Sequence, residues 1–113
     1  MKKILLAEFD TFLINVYVNE FRKLGHSISI APDGEIAINR IKNNNPDLLI
    51  LDASLPKING SSVLKILRED MGLKELKVVM LSDFINEEEN KKNVGFGIIK
   101  QFMKAESTYL IIC

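Results

Sequence analysis

Four polar side chains stand directly after short apolar runs, and their types together suit phosphoryl transfer. Glu8 follows Ile4 to Ala7, Asp52 follows Leu48 to Leu51, Ser82 follows Val78 to Leu81, and Lys100 follows Phe96 to Ile99. Paired carboxylates suit a hard cation, a hydroxyl and an ammonium suit the oxygens of a transferred phosphoryl group, and Asp52 can act as nucleophile. Taken singly, each is most simply a polar residue where a loop begins. Their common placement carries the reading.

For these side chains to meet, the runs before them must be neighbouring strands. The runs are too short for helices and lack period-two alternation, as strands buried on both faces do. With Ser27 to Ala31 they make five. Between them lie segments of helical period. Phe12, Val16 and Leu24, with Ile14, Val18 and Phe21, predict a first helix capped by Asp10 or Thr11 and stopped by Gly25. Ile36, Ala37 and Ile41 predict a second, opened by Asp33-Gly34 and closed before Pro46. Val63, Leu67 and Met71, flanked by Leu64 and Ile66, predict a third, opened by Ser61 or Ser62 and ended by Gly72. A fourth is short and polar. Asn86 can cap it, Glu87 to Glu89 sit in its first turn, Lys91 and Lys92 lie four residues after Glu87 and Glu88, and Ile85 and Val94 are its buried residues. Ala105 to Cys113, rich in β-branched and apolar residues, reads as a final helix, with a strand as the other reading.

Five β-then-α units with right-handed connections predict an α/β fold of the flavodoxin-like doubly wound type. Its five-stranded parallel sheet has order 2-1-3-4-5 and helices on both faces. In such a sheet ligands bind beyond the carboxyl ends of the strands, where the four polar residues are expected to converge.

The 113 residues, taken as one domain over 1–113, carry 15 basic and 15 acidic side chains with no basic run, which argues against direct nucleic-acid binding. A chain this long removes roughly 65% of its unfolded surface from water and needs no disulfide or structural metal to fold. The apolar stretch after Lys2-Lys3 is too short for an export signal, and one Cys makes no internal bridge. The cytoplasm is therefore the expected compartment, with no membrane contact.

Lys3-Ile4-Leu5-Leu6-Ala7-Glu8, Pro46-Asp47-Leu48-Leu49-Ile50-Leu51-Asp52-Ala53-Ser54-Leu55-Pro56 with Asn59-Gly60, Met80-Leu81-Ser82 and Ile98-Ile99-Lys100 resemble the receiver domain of two-component response regulators. The resemblance runs from Lys2 to about Phe102 and is most specific around Asp52. It implies that Asp52 accepts a phosphoryl group from a histidine kinase or phosphotransfer protein. It further implies that Glu8, Asp52 and the backbone carbonyl of Ser54 hold Mg²⁺, that Ser82 is the switch hydroxyl, and that Lys100 contacts the phosphoryl group. Pro56 and Gly60 would shape the loop over the site. A downstream effector protein is the implied partner.

The departures from that pattern are local. The second acidic residue that ordinarily follows the position of Glu8 is Phe9, so Mg²⁺ is expected to be held more weakly. The Pro that ordinarily follows Lys100 is Gln101. A cis bond costs roughly 2.5 to 4 kcal/mol before a non-proline residue against about 0.5 to 1 before proline, so a trans bond is expected there. The aromatic that usually reports the switch falls on Gly97, and the small residue after the switch hydroxyl is Asp83. The fourth helix is expected to be shorter than usual by roughly four residues, one turn.

Two other functions compete with the phospho-acceptor. A pseudo-receiver would serve as a protein-interaction module without phosphorylation. A phosphatase of the haloacid dehalogenase type would need a second Asp two residues after its nucleophile, where this sequence has Ser54. His26 and the methionines read as turn and core residues. The apolar end, Tyr109 to Cys113, reads as a helix packed on the sheet, with a dimerisation patch as the other reading, so a monomer or weak homodimer is expected.

Overall fold

The computed structural model describes residues 1–82, 87–98 and 100–103. The expected final helix at 105–113, Asp83, and the cap and apolar residue expected at 85–86 lie outside them. The strands are β1 (Lys3–Ala7), β2 (Ser27–Ala31), β3 (Leu48–Asp52), β4 (Lys77–Ser82) and β5 (Lys100–Met103). The helices are α1 (Thr11–Lys23), α2 (Gly34–Asn43), α3 (Gly60–Lys65), which continues as a π-helical turn over Ile66–Asp70, and α4 (Glu87–Gly95). β2, β1, β3 and β4 lie side by side in that order, all parallel, and β5 lies along the outer edge of β4. This is a flavodoxin-like α/β fold.

Continuous apolar strands make two cores. Leu5, Ala7, Leu49, Leu51, Val78 and Met80 face α2 and α3, meeting Ala37, Ile41, Val63, Leu64 and Leu67. Ile4, Leu6, Ile50, Val79 and Leu81 face the other way, onto Leu13, Tyr17 and Phe21 of α1. Each strand thus sends alternate side chains to opposite faces, and both faces are covered.

The helices start where side chains can cap them, and this resets their phase. Asp10 accepts from the N–H groups of Phe12 and Leu13, so α1 begins at Thr11 and buries Leu13, Tyr17 and Phe21 at four-residue spacing. Phe12, expected on the buried face, is 73% exposed, and Leu24 lies outside the helix as its C-cap. Asp33 caps α2 through the N–H of Ile36, and Ile38 joins Ala37 and Ile41 inside, with Ile36 half-buried against them. Asn59, not Ser61 or Ser62, caps α3, accepting from the N–H of Ser62 at 2.9 Å. Gly25 and Gly72 stand at φ +84° and +66°, the left-handed conformation that ends a helix cheaply only with glycine.

α4 departs most from expectation. Val94 faces solvent at 58% exposure, and among the described residues of α4 the buried one is Asn93. The expected fifth strand at 96–99 is displaced as well. Phe96 and Gly97 form the turn that closes α4, their N–H groups bonding back to the carbonyls of Lys92, Asn93 and Val94, and the strand begins at Lys100.

Candidate functional site

Parallel register brings three of the expected residues to one end of the sheet. Ala7 is opposite Leu51 and Asp52 opposite Leu81, so Glu8, Asp52 and Ser82 close β1, β3 and β4 at neighbouring levels. All three are buried, Glu8 and Asp52 completely and Ser82 to 7% exposure. The backbone of Lys100 is not level with them. It opens β5 opposite Val79, and it is Met103 that stands opposite Ser82. Three strand residues at ~3.3 Å each put the Lys100 backbone about 10 Å short of the strand tips. The reason is the displaced strand, since residues expected to pair with β4 are spent on the turn after α4.

The carboxylates are oriented by backbone donors. One oxygen of Glu8 accepts from the N–H groups of Phe9 and Asp10, both at 3.1 Å, and the Glu8 N–H donates to the Ala31 carbonyl. Oδ1 of Asp52 accepts from the N–H of Ser54 at 2.9 Å. Two adjacent buried carboxylates repel unless a cation lies between them. Among the described residues no cluster of three or more acidic, His or Cys side chains forms, because the position after Glu8 is Phe9, which is 46% exposed. Two carboxylates and a carbonyl are hard oxygen donors, and Mg²⁺ is commonly held by one or two carboxylates with the rest water. The donor set fits that ion.

The loop from Asp52 to α3 is held tightly. The Ala53 N–H donates to the Leu81 carbonyl at 2.8 Å, and the Gly60 N–H returns to the Ala53 carbonyl at 2.9 Å. A Cβ at Gly60 would stand 2.2 Å from the Asp52 carbonyl oxygen, so only glycine lets α3 start this close to the site. Pro56 accepts from the N–H groups of Gly34 and Ile58. Lys57 sits at φ +65°, an unfavourable conformation for a residue with a Cβ, and its ammonium lies 3.7 Å from Asp33 and 3.9 Å from Glu35.

Sequence reasoning missed two residues beside this framework. Arg68, in the π-helical turn, is 6% exposed and donates to the carbonyls of Phe96, Leu73 and Gly97. Its burial lowers the guanidinium pKa, yet the group stays charged. It ties α3 to the turn before β5. Asn93 is the other. Neither gave a signal, because an Arg beside Leu67 and an Asn in a polar helix both read as solvent-facing.

Comparison with known proteins agrees with this architecture. The response regulator receiver domain family matches residues 4–112. The transcriptional regulatory protein YcbL of Bacillus subtilis is 33% identical over 108 residues, covering 92% of this chain and 46% of that protein. The receiver domain of a Francisella response regulator superposes with a TM-score of 0.90 at 28% identity, covering 99% of this chain and 91% of the other. The Mn(2+)-bound form of response regulator Rcp1 shares the fold at 22% identity, with a TM-score of 0.88 and coverage of 99% and 89%. The chain belongs to the response regulator receiver domain family of two-component systems. It spans 46% or less of curated relatives such as YcbL and the gliding motility regulatory protein of Myxococcus xanthus, of which it covers 11%. No helix among the described residues is long and apolar enough to cross a membrane.

Proposed function

We propose that this receiver domain is a phospho-acceptor, and that Asp52 is the residue modified. The observation that carries the reading is the complete burial of Asp52 beside Glu8 at the carboxyl ends of adjacent strands. A carboxylate oxygen of Asp52 attacks the phosphorus of a phosphohistidine on a histidine kinase or phosphotransfer protein. The P–N bond breaks, its electrons return to the imidazole, and an acyl phosphate forms on Asp52.

Glu8, Asp52 and the Ser54 carbonyl would hold Mg²⁺. When bound, that ion offsets the charge of the phosphoryl oxygens and of the paired carboxylates. The backbone donors to Glu8 and Asp52 fix both carboxylates before the donor arrives, so little reorganisation is required. Ser82, at the tip of β4, is the hydroxyl assigned to a phosphoryl oxygen. Lys100 is assigned to the same group. The partners in this reading are a cytoplasmic kinase or phosphotransfer protein and an effector protein, with no direct nucleic-acid or membrane contact, for a chain that is monomeric or weakly dimeric.

The test is chemical location of the modification. Incubation with phosphoramidate and Mg²⁺ followed by borohydride reduction converts a phosphoaspartate to homoserine, which peptide mass spectrometry places in the sequence. Homoserine at position 52 is the expected result, and homoserine elsewhere or nowhere overturns the assignment.

A further inference from the structure

α4 packs on the domain with almost no apolar surface. Over Glu87–Gly95 its one large aliphatic residue is Val94, which is 58% exposed, while Asn93 is 1% exposed. Among the described residues neither Nδ2 nor Oδ1 of Asn93 has a hydrogen-bond partner. Such a group costs about 1 to 3 kcal/mol to bury unmet, and native proteins keep few of them.

Asn93 lines a cavity of about 530 Å³ between α3 and α4. That volume lies within the ~300 to 1,000 Å³ usual for ligand pockets. Ser62 and Lys65 of α3 form one wall, and Lys92 and Phe96 flank Asn93 on the other. Among the described residues the lining holds two ammonium groups and no carboxylate, in a chain whose formal net charge is zero. The described part of the open side is therefore cationic, and the Asn93 amide, once turned from its buried position into the groove, asks for one hydrogen-bond donor and one acceptor.

A peptide group supplies both, an N–H for Oδ1 and a carbonyl for Nδ2. A small oxyanion supplies acceptors only and would leave Oδ1 unmet. Flanking carboxylates of such a segment would meet Lys65 and Lys92, which line opposite helices of the groove. We propose that the groove between α3 and α4 docks an acidic peptide segment of a partner protein, whose main-chain amide pairs with Asn93. The site is separate from Asp52 and does not depend on phosphorylation.

The test is selection from a random peptide library on the immobilised, unphosphorylated protein. Enriched peptides are expected to carry two or more Asp or Glu, and in ¹⁵N spectra to shift the side-chain NH₂ of Asn93 with the amides of Ser62 and Lys65. Affinity is expected to fall by roughly tenfold or more in Lys65→Glu/Lys92→Glu, from lost pairing plus repulsion. Asn93→Leu keeps the charges and removes the amide pair, and it too is expected to lose at least about tenfold. Failure to enrich acidic peptides overturns the proposal, as does equal binding by either variant. Inorganic phosphate shifting the same resonances and displacing the peptides would make this a small-anion site and overturn the assignment to a partner protein.

Discussion

Asn93→Leu is expected to make the protein more stable, against the usual direction for a buried substitution. The wild-type amide is 1% exposed with both polar atoms unmet, beside a cavity that leaves room for a branched chain. Removing an unmet buried polar group recovers about 1 to 3 kcal/mol. Leu is also the better helix former by a few tenths of a kcal/mol. The combined gain is on the order of 2 kcal/mol, since the new methyl groups face a partly open groove and add little. Urea unfolding followed by circular dichroism reads this directly. With a slope near 2 kcal/mol/M, the midpoint should rise by about 1 M. An unchanged or lower midpoint, at unchanged slope, would refute the reasoning and show that Asn93 is satisfied in solution. A stabilising substitution that weakens peptide binding is the signature of a residue kept for function.

Gly60→Ala places a methyl 2.2 Å from the Asp52 carbonyl oxygen, so it is expected to cost at least ~3 kcal/mol, seen as a large fall in the thermal midpoint. Arg68→Met removes donors from the carbonyls of Phe96, Leu73 and Gly97, of which Gly97 can rehydrate; a loss of about 2 kcal/mol is expected, with faster hydrogen exchange confined to the turn after α4. The N–H of Lys3, at 2.7 Å, holds the Asp47 carboxyl below its ordinary pKa, with Lys2 and Lys3 adding to it. A carboxyl depressed on folding stabilises above its unfolded pKa and ceases to as pH falls through the folded value. Asp47→Asn is therefore expected to flatten the loss of stability below about pH 4 and to leave the slope above it unchanged.

The strands were legible because a strand covered on both faces can only be an uninterrupted apolar run, and Ile4 to Ala7, Leu48 to Leu51 and Val78 to Leu81 have no other role. The tips followed from the strands, which is why Glu8, Asp52 and Ser82 were found together. Helix phase was less legible. At 3.6 residues per turn, a one-residue error rotates the buried face by about 100°, and in α1 the cap at Asp10 turned Leu13 and Tyr17 inward and Phe12 outward. The end of the chain read worst. Ile98 and Ile99 look like strand, but the turn after α4 is fixed by Arg68, a long-range partner that no local pattern announces. With that contact β5 begins at Lys100, and the Lys100 backbone lies below the level of the tips.

The central claim is that Glu8 and Asp52 form a working acceptor despite Phe9. Intact-protein mass spectrometry after exposure to acetyl phosphate, with and without Mg²⁺, tests it on the natural protein, Asp52→Asn and Phe9→Asp. The account predicts one Mg²⁺-dependent phosphoryl adduct on the natural protein, none on Asp52→Asn, and a faster-forming adduct on Phe9→Asp. An adduct on Phe9→Asp alone would contradict it, and would mean that the natural domain works through contacts without phosphorylation.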